Sequence, residues 1–151
     1  MEDAPHVEVD ARPSLTGAQE TLFPTQMTSN EQIFLTAEGH FDAAHNLVNY
    51  VGKCSDLHGH RWVVKAEFGP FTEDELDESG IALDFKDIKL KLGAIIDLYD
   101  HKYLNNYFDL PSAEKISLQI FRALKRFYPD KLFAVEVFES PESKCTVRNG
   151  S

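Results

Sequence analysis

The sequence predicts an α+β domain: a four-stranded antiparallel sheet with two helices inserted between strands 2 and 3 and packed on one face. Three observations predict it. Strand-like stretches of β-prone and apolar residues stand at 33–44 and 58–68, and again at 131–139 and 144–148. Between these pairs lie two segments, 84–99 and 113–128, whose apolar residues recur at helical spacing. Turn-forming stretches divide each strand pair, so each pair reads as a hairpin, and two hairpins with two helices make one layered unit.

Residues 1–30 carry Pro5, Pro13 and Pro24 among many Thr, Ser, Glu and Asp, without apolar periodicity. They read as a flexible leader ahead of a domain spanning 31–151. The first strand begins at Ile33 and contains Gly39, a candidate bulge. Side chains alternate along a strand, so Phe41, Ala43 and His45 share a face. Residues 46–57, with Gly52, read as a loop. In the second strand His60, Trp62, Val64, Ala66 and Phe68 point one way, and Arg61, Lys65 and Glu67 the other. The stretch from Gly69 to Gly80 is a charged turn region.

The first helix has Asp84 as a plausible N-cap and Asp87 in its first turn, where a negative charge meets the positive end of the helix dipole. Its apolar stripe is Phe85, Ile88, Leu92, Ile95, Ile96 and Tyr99. Ser112 can cap the second helix and Pro129 follows its end; its stripe is Ile116, Ile120, Leu124 and Phe127. In the third strand Phe133, Val135, Val137 and Glu139 share a face, and Pro141 lies in the turn before the fourth.

The bulk numbers narrow the function classes. A chain of 151 residues suffices for one domain. A formal net charge of −10 argues against broad binding to nucleic acid or to an anionic membrane. It leaves room for an anionic small substrate held by a local positive site. No apolar run approaches the roughly 18 residues of a membrane helix, and the first residues lack the apolar core of a secretory signal. With only Cys54 and Cys145, a disulfide scaffold is excluded, and a cytoplasmic setting with free thiols is expected.

The chemistry gathers around the first loop. His58 and His60 are two apart on a strand, so both rings project from one face and can reach one ion. If the first two strands pair, His45 sits across from them. Three imidazoles with an open fourth position describe a catalytic zinc site; three unrelated strand histidines are the competing reading. Cys54, four residues before His58, suits a fourth ligand, a thiolate activated by the nearby cation, or an inert loop residue. Asp100-His101 offers an acid–base pair, or a helix terminus with a capping histidine. Glu139 occupies an apolar-facing position; its carboxylate either marks a solvated strand end or accepts two N–H donors from a guanidine-like edge.

Taken together the residues resemble a known family. Phe41-Asp42-Ala43-Ala44-His45, Cys54-Ser55-Asp56-Leu57-His58-Gly59-His60, Asp84-Phe85 with Lys89, Asp100-His101 with Leu104-Asn105, Pro111-Ser112-Ala113-Glu114 and Glu139-Ser140 look like the signature of the 6-pyruvoyl- and 6-carboxytetrahydropterin synthases, in order, over about residues 33–149. The resemblance implies a tunnelling fold and a homo-oligomer, trimer or hexamer, with active sites between subunits. It implies His45, His58 and His60 as Zn2+ ligands, Cys54 as general base, and Asp100 with His101 as the partner acid–base pair. Glu139 would anchor the pterin's guanidine-like edge, with Ser112 and Glu114 lining the pocket.

Three residues separate Cys54 from His58, which resembles the 6-carboxytetrahydropterin synthases of the 7-deazapurine (queuosine) pathway. Their reaction converts 7,8-dihydroneopterin triphosphate to 6-carboxy-5,6,7,8-tetrahydropterin, acetaldehyde and triphosphate. The alternatives are triphosphate elimination to 6-pyruvoyltetrahydropterin and a non-catalytic zinc- or pterin-binding protein of the same fold. Lys53, Arg61, Lys65 and Lys102 are the candidate cations for the triphosphate. Ala113 and Lys115 stand where the family usually has Thr and Asn.

Overall fold

The computed structural model describes residues 16–23 and 26–150, which divide into two units after residue 31. The first unit holds one short helix, α1 (Gly17–Leu22). Its start is a capping box: the Thr16 backbone N–H donates to Gln19 Oε1 at 2.9 Å. The leader expected to lack regular structure therefore contains a helical turn, for which the Thr-x-x-Gln spacing is the local signal. Residues 1–15 lie outside the described residues.

The second unit is the α+β layer. Its sheet has the order β3-β1-β2-β4-β5, formed by β1 (Ile33–His45), β2 (His58–Phe71), β3 (Lys102–Tyr103), β4 (Leu132–Ser140) and β5 (Ser143–Arg148). The four long strands pair antiparallel, as expected. The fifth, β3, is a correction: two residues after His101 run parallel to Ala43 and Ala44 at the sheet edge. A two-residue strand has no periodicity to read. Helices α2 (Phe85–Ile96) and α3 (Ala113–Lys125) fall between β2 and β4, and both pack into the same core.

Both helices start where their caps dictate. Asp84 accepts a hydrogen bond from the Lys86 N–H at 2.8 Å, and Ser112 Oγ accepts a long one from Lys115 at 3.4 Å. Their ends come earlier than the apolar spacing suggests. Because α3 stops at Lys125, the helical step no longer governs the next residues; Phe127 turns outward, 53% exposed, and Tyr128 takes its place inside. Phe85, at the first position of α2, is likewise exposed, while Ile88, Leu92, Ile95 and Ile96 are buried.

Three details of the sheet correct the sequence reading. Gly39 is in regular register opposite Val64, and the irregularity of β1 lies between Ile33 and Leu35. A Cβ at 39 would stand 2.6 Å from Ile96 Cδ1 and would displace the tip of that side chain: α2 lies directly on the strand. Strand β2 runs on to Phe71, because Phe71 still pairs with Ile33 and the Gly69 N–H donates to Lys131 O. In β4 the register shifts between the Val135–Ala66 and Leu132–Phe68 pairs. Leu132 therefore enters the core, and Phe133 turns to the other face against Phe34, their ring centroids 5.2 Å apart.

The core runs along one face of the sheet: Phe41, Trp62, Val64, Ala66 and Phe68 against Ile88, Leu92, Ile116, Ile120 and Leu124. Each fully buried aliphatic side chain contributes roughly 1.5–3 kcal/mol. His45 lies on this same face, at the end of β1 and wholly buried.

Candidate metal centre

The antiparallel pairing of β1 and β2 brings the histidines together. His45 pairs with His58 and Ala43 with His60, so all three rings rise from one face at the last rungs of the ladder. Trp62, one step inward, stands edge-on to His45 and His60 at centroid distances of 5.0 and 5.3 Å. It separates the rings from the apolar core below.

The ring nitrogens are assigned by their partners. His45 Nδ1 lies 2.7 Å from the Pro111 carbonyl, and His58 Nδ1 lies 2.7 Å from the Asp56 carbonyl. A carbonyl only accepts, so each Nδ1 carries a proton and each ring turns its Nε2 inward. The two Nε2 atoms face each other at 3.0 Å. At that distance the two nitrogens share a proton or hold a cation between them.

His60 repeats the pattern in a starker form. Among the described residues, its Nε2 is the buried side-chain polar atom without a hydrogen-bond partner. Burial lowers the pKa of both His45 and His60 below the ordinary 6.5. Both rings are therefore neutral near pH 7 and present lone pairs, the form in which imidazole ligates metal.

Glu139, at the end of β4, completes the group. Its Oε1 lies 3.4 Å from His45 Nε2 and 3.6 Å from His60 Nε2. One ligand atom from each of His45, His58, His60 and Glu139 lies within 4.8 Å of the others. In a tetrahedral zinc site with Zn–N near 2.0–2.1 Å, neighbouring ligand atoms stand about 3.3 Å apart. The donor set and its spacing fit zinc.

Cys54 is not in this group. It sits half-buried as a free thiol on a 3₁₀ turn (Lys53–Ser55), and its carbonyl accepts from the Leu47 N–H at 2.8 Å. The fourth-ligand reading of Cys54 is thus displaced by Glu139, whose carboxylate faces the position expected to be open.

The second constellation lies on the other side of β1. His101 adopts a left-handed backbone, φ 55°, which turns its N–H onto the Asp42 carbonyl at 2.6 Å. Its Nδ1 lies 2.8 Å from Asp100 Oδ2, while Asp100 Oδ1 accepts the Asp42 N–H at 2.8 Å. That backbone donor, followed by His101, holds the Asp100 carboxyl below the usual range. Arg61 grips the Asp42 carboxylate with two bonds of 2.9 Å. The His101 side chain is 80% exposed. It lies well past Ile96, the last residue of α2, so the helix-capping reading falls. A cleft of about 550 Å3 is lined by His60, Arg61, His101, Lys102 and Tyr103.

The remaining motif residues act through the backbone. Pro111, whose carbonyl holds His45, directly precedes Ser112; Ser112 caps α3 and Glu114 is exposed in its first turn. Neither side chain joins the four-residue group. Asn105 clamps the loop after His45, giving 2.8 Å to the Asn46 carbonyl and accepting the Asn46 N–H at 3.0 Å. The carbonyls of Pro111 and Asp56 are invisible to a reading based on side-chain types, although both fall inside the family motifs. Of the candidate cations, Arg61 is tied to Asp42 and Lys65 lies 3.4 Å from Glu38.

The chain is similar to known proteins in sequence and in fold. The profile of the 6-pyruvoyl tetrahydropterin synthase family matches residues 34–150. A 6-carboxy-5,6,7,8-tetrahydropterin synthase of Synechocystis sp. is 35% identical over 107 residues, covering 66% of this chain and 81% of that protein. A putative enzyme of the same name from Archaeoglobus fulgidus is 31% identical over 94 residues, 62% of this chain and 77% of its own. Among solved structures, the 6-pyruvoyl tetrahydropterin synthase of Caenorhabditis elegans aligns with a TM-score of 0.69 at 23% identity, covering 82% of this chain and 100% of that one.

Proposed function

The chain belongs to the 6-pyruvoyl tetrahydropterin synthase family, and from that premise we propose that it is a zinc-dependent 6-carboxytetrahydropterin synthase, a lyase. It converts 7,8-dihydroneopterin triphosphate to 6-carboxy-5,6,7,8-tetrahydropterin, acetaldehyde and triphosphate, in the cytoplasm, on the 7-deazapurine (queuosine) pathway. The observation that carries the reading is the convergence of three imidazoles, two of them with their outer nitrogens fixed by carbonyls. The choice of product rests on the short Cys54–His58 spacing and on the names of the relatives at 31% and 35% identity.

When bound by His45, His58 and His60, zinc supplies Lewis acidity that lowers the pKa of hydroxyls placed on it. Cys54, as its thiolate, removes a proton from the substrate. His101, oriented by Asp100, carries the partner proton; the Asp100–His101 bond fixes which ring nitrogen faces outward. Ser112, Glu114 and Glu139 hold the pterin ring. Lys102, in the cleft shared by His60 and His101, is the cation best placed for the triphosphate, because Arg61 and Lys65 already face carboxylates. The exposure of His101 fits a site completed by a second copy of the chain, in a trimer or hexamer. No helix among the described residues is long and apolar enough to cross a membrane.

The test is product mass from purified, zinc-loaded protein given dihydroneopterin triphosphate. Release of acetaldehyde with the 6-carboxy product supports the reading; a 6-pyruvoyl product, or none, rejects it. In the same assay Cys54→Ala retains zinc and loses turnover on the order of 10²- to 10⁴-fold, the worth of a well-placed acid or base. Unchanged turnover removes Cys54 from the mechanism.

A further inference from the structure

Asp42 and Arg61 stand directly opposite each other on β1 and β2. The guanidinium grips the carboxylate as a fork, Nε to Oδ1 and Nη2 to Oδ2, at 2.9 Å each. Further along the same face Lys65 meets Glu38 by a single contact of 3.4 Å. A solvated cross-strand ion pair is the default reading of both. What sets the first apart is the segment that hangs on Asp42. The Asp42 N–H donates to Asp100 Oδ1 at 2.8 Å, and its carbonyl accepts the His101 N–H at 2.6 Å. Those bonds hold His101 at φ 55°, a backbone that a residue other than glycine seldom adopts unless its surroundings impose it.

The Asp42 carboxylate is also close to the ring that it does not bind. One oxygen of Asp42, one of Asp100 and one ring nitrogen of His101 lie within 4.8 Å of one another. His101 Nδ1 is engaged by Asp100 Oδ2 at 2.8 Å. An unengaged carboxylate at that range is a rival acceptor for the same imidazole. Arg61 removes the rivalry by taking both oxygens, and its hydrogen bond holds the Asp42 carboxyl below the usual range. The converse also holds. Asp42 is the main stabiliser of the guanidinium charge, and Asp100 adds a weaker attraction of its own. A guanidinium released from Asp42 is therefore drawn toward Asp100. Arg61 and His101 line the same cleft of about 550 Å3, so either release happens beside the ring.

We propose that Arg61 is a positioning residue for the Asp100–His101 pair: by occupying both oxygens of Asp42 it denies His101 a rival carboxylate, and Asp42 in turn denies Asp100 a rival cation. This inference rests on the acid–base role given to His101 above and adds the ion pair that keeps the ring directed.

The test compares Arg61→Gln, Asp42→Asn and the double variant with wild type, all as the zinc-loaded full chain. Long-range 1H–15N spectra of the His101 ring report which nitrogen carries the proton and what it bonds; kcat and KM are measured with dihydroneopterin triphosphate. Each single variant frees one charged rival, so its ring spectrum departs from wild type and kcat falls about 10-fold, with KM within about twofold. The double variant frees neither, so its ring spectrum returns to that of wild type and kcat recovers to within about threefold. Ring signals at their wild-type positions in both single variants overturn the proposal. A double variant no better than Arg61→Gln reduces the pair to a structural clasp and also overturns it. So does a raised KM with unchanged kcat in Arg61→Gln, which makes Arg61 a substrate-binding cation. The ring spectra need no substrate, so they decide the positioning even where zinc-loaded wild type gives no turnover, the result that rejects the functional reading.

Discussion

The two ends of the helix-covered sheet face treat buried polar groups in opposite ways. Deep in the helical layer, Tyr128 is buried against Phe68 at a centroid distance of 4.9 Å, and its hydroxyl donates to Asp87 Oδ2 at 2.7 Å. That polar group has a partner, as buried ones nearly always do. At the other end, the Nε2 atoms of His45 and His58 crowd to 3.0 Å and His60 Nε2 has no hydrogen-bond partner. An unsatisfied buried nitrogen costs roughly 1–3 kcal/mol. The difference teaches that the fold is optimised for stability at one end and carries a deficit at the other, which a bound cation would remove.

His60→Leu breaks the comparison most severely. It deletes the orphaned nitrogen and keeps an apolar body beside Trp62. Zinc affinity falls by more than the roughly 100-fold that an outer partner's loss can cost, and turnover goes with it. Yet the metal-free variant melts at or above the temperature of metal-free wild type, because nothing satisfied has been removed. Calorimetry on both proteins in chelator checks the sign. A metal-free variant that melts several degrees lower shows that His60 contributes packing, and the deficit account fails.

The same contrast explains what was legible in the sequence. The helix-layer end was readable because apolar spacing is redundant: Ile88, Leu92, Ile116, Ile120 and Leu124 announce their faces through period alone, and all are buried. The errors there sit at element ends, where one cap or one bulge decides, as with Phe127, Tyr128 and Phe133. At the metal end, two histidines two apart on a strand and a third across the hairpin were enough to place the rings. The carboxylate beside them was not legible, because Glu139 reaches the rings only through the β2–β4 register, and the path of the loop that carries Cys54 has no periodicity to read. The carbonyls of Pro111 and Asp56 were illegible for a different reason: every residue has a carbonyl, and only the fold says which one meets an imidazole.

Leu92→Ala sharpens the contrast from the other side. Leu92 is 1% exposed and touches the face of β1 at Gly39. Truncation removes buried methyl groups and leaves a cavity, for an expected loss of about 2–5 kcal/mol in unfolding free energy. Zinc affinity of the folded fraction stays within a few-fold, because the histidines hang on the β1–β2 ladder and not on α2. Urea unfolding and a zinc titration below the transition measure the two quantities. A parallel loss of both shows that the ends are coupled.

The smallest effect separates the two ends by pH. At the metal end of metal-free protein, burial depresses the pKa of His45 and His60 below 6.5. The unfolded chain then takes up protons first, so stability is full above pH 6.5 and falls as the pH drops below it. At the other end Asp87 is depressed below 3.8, first by its hydrogen bond from Lys91 and then by that from Tyr128. Its contribution is present above pH 3.8 and is lost only as the pH falls through the folded-state value. Tyr128→Phe removes one hydrogen bond to that carboxylate, about 1 kcal/mol at pH 7. The gap between wild type and Tyr128→Phe should hold constant from pH 7 to pH 5 and narrow below pH 4. Over that same upper interval His60→Leu should lose less stability than wild type, since one of its two depressed histidines is gone. Urea midpoints of the three metal-free proteins at half-unit steps resolve the two windows; a Tyr128→Phe gap that closes near pH 6 would mean that the hydroxyl answers to the histidine end after all.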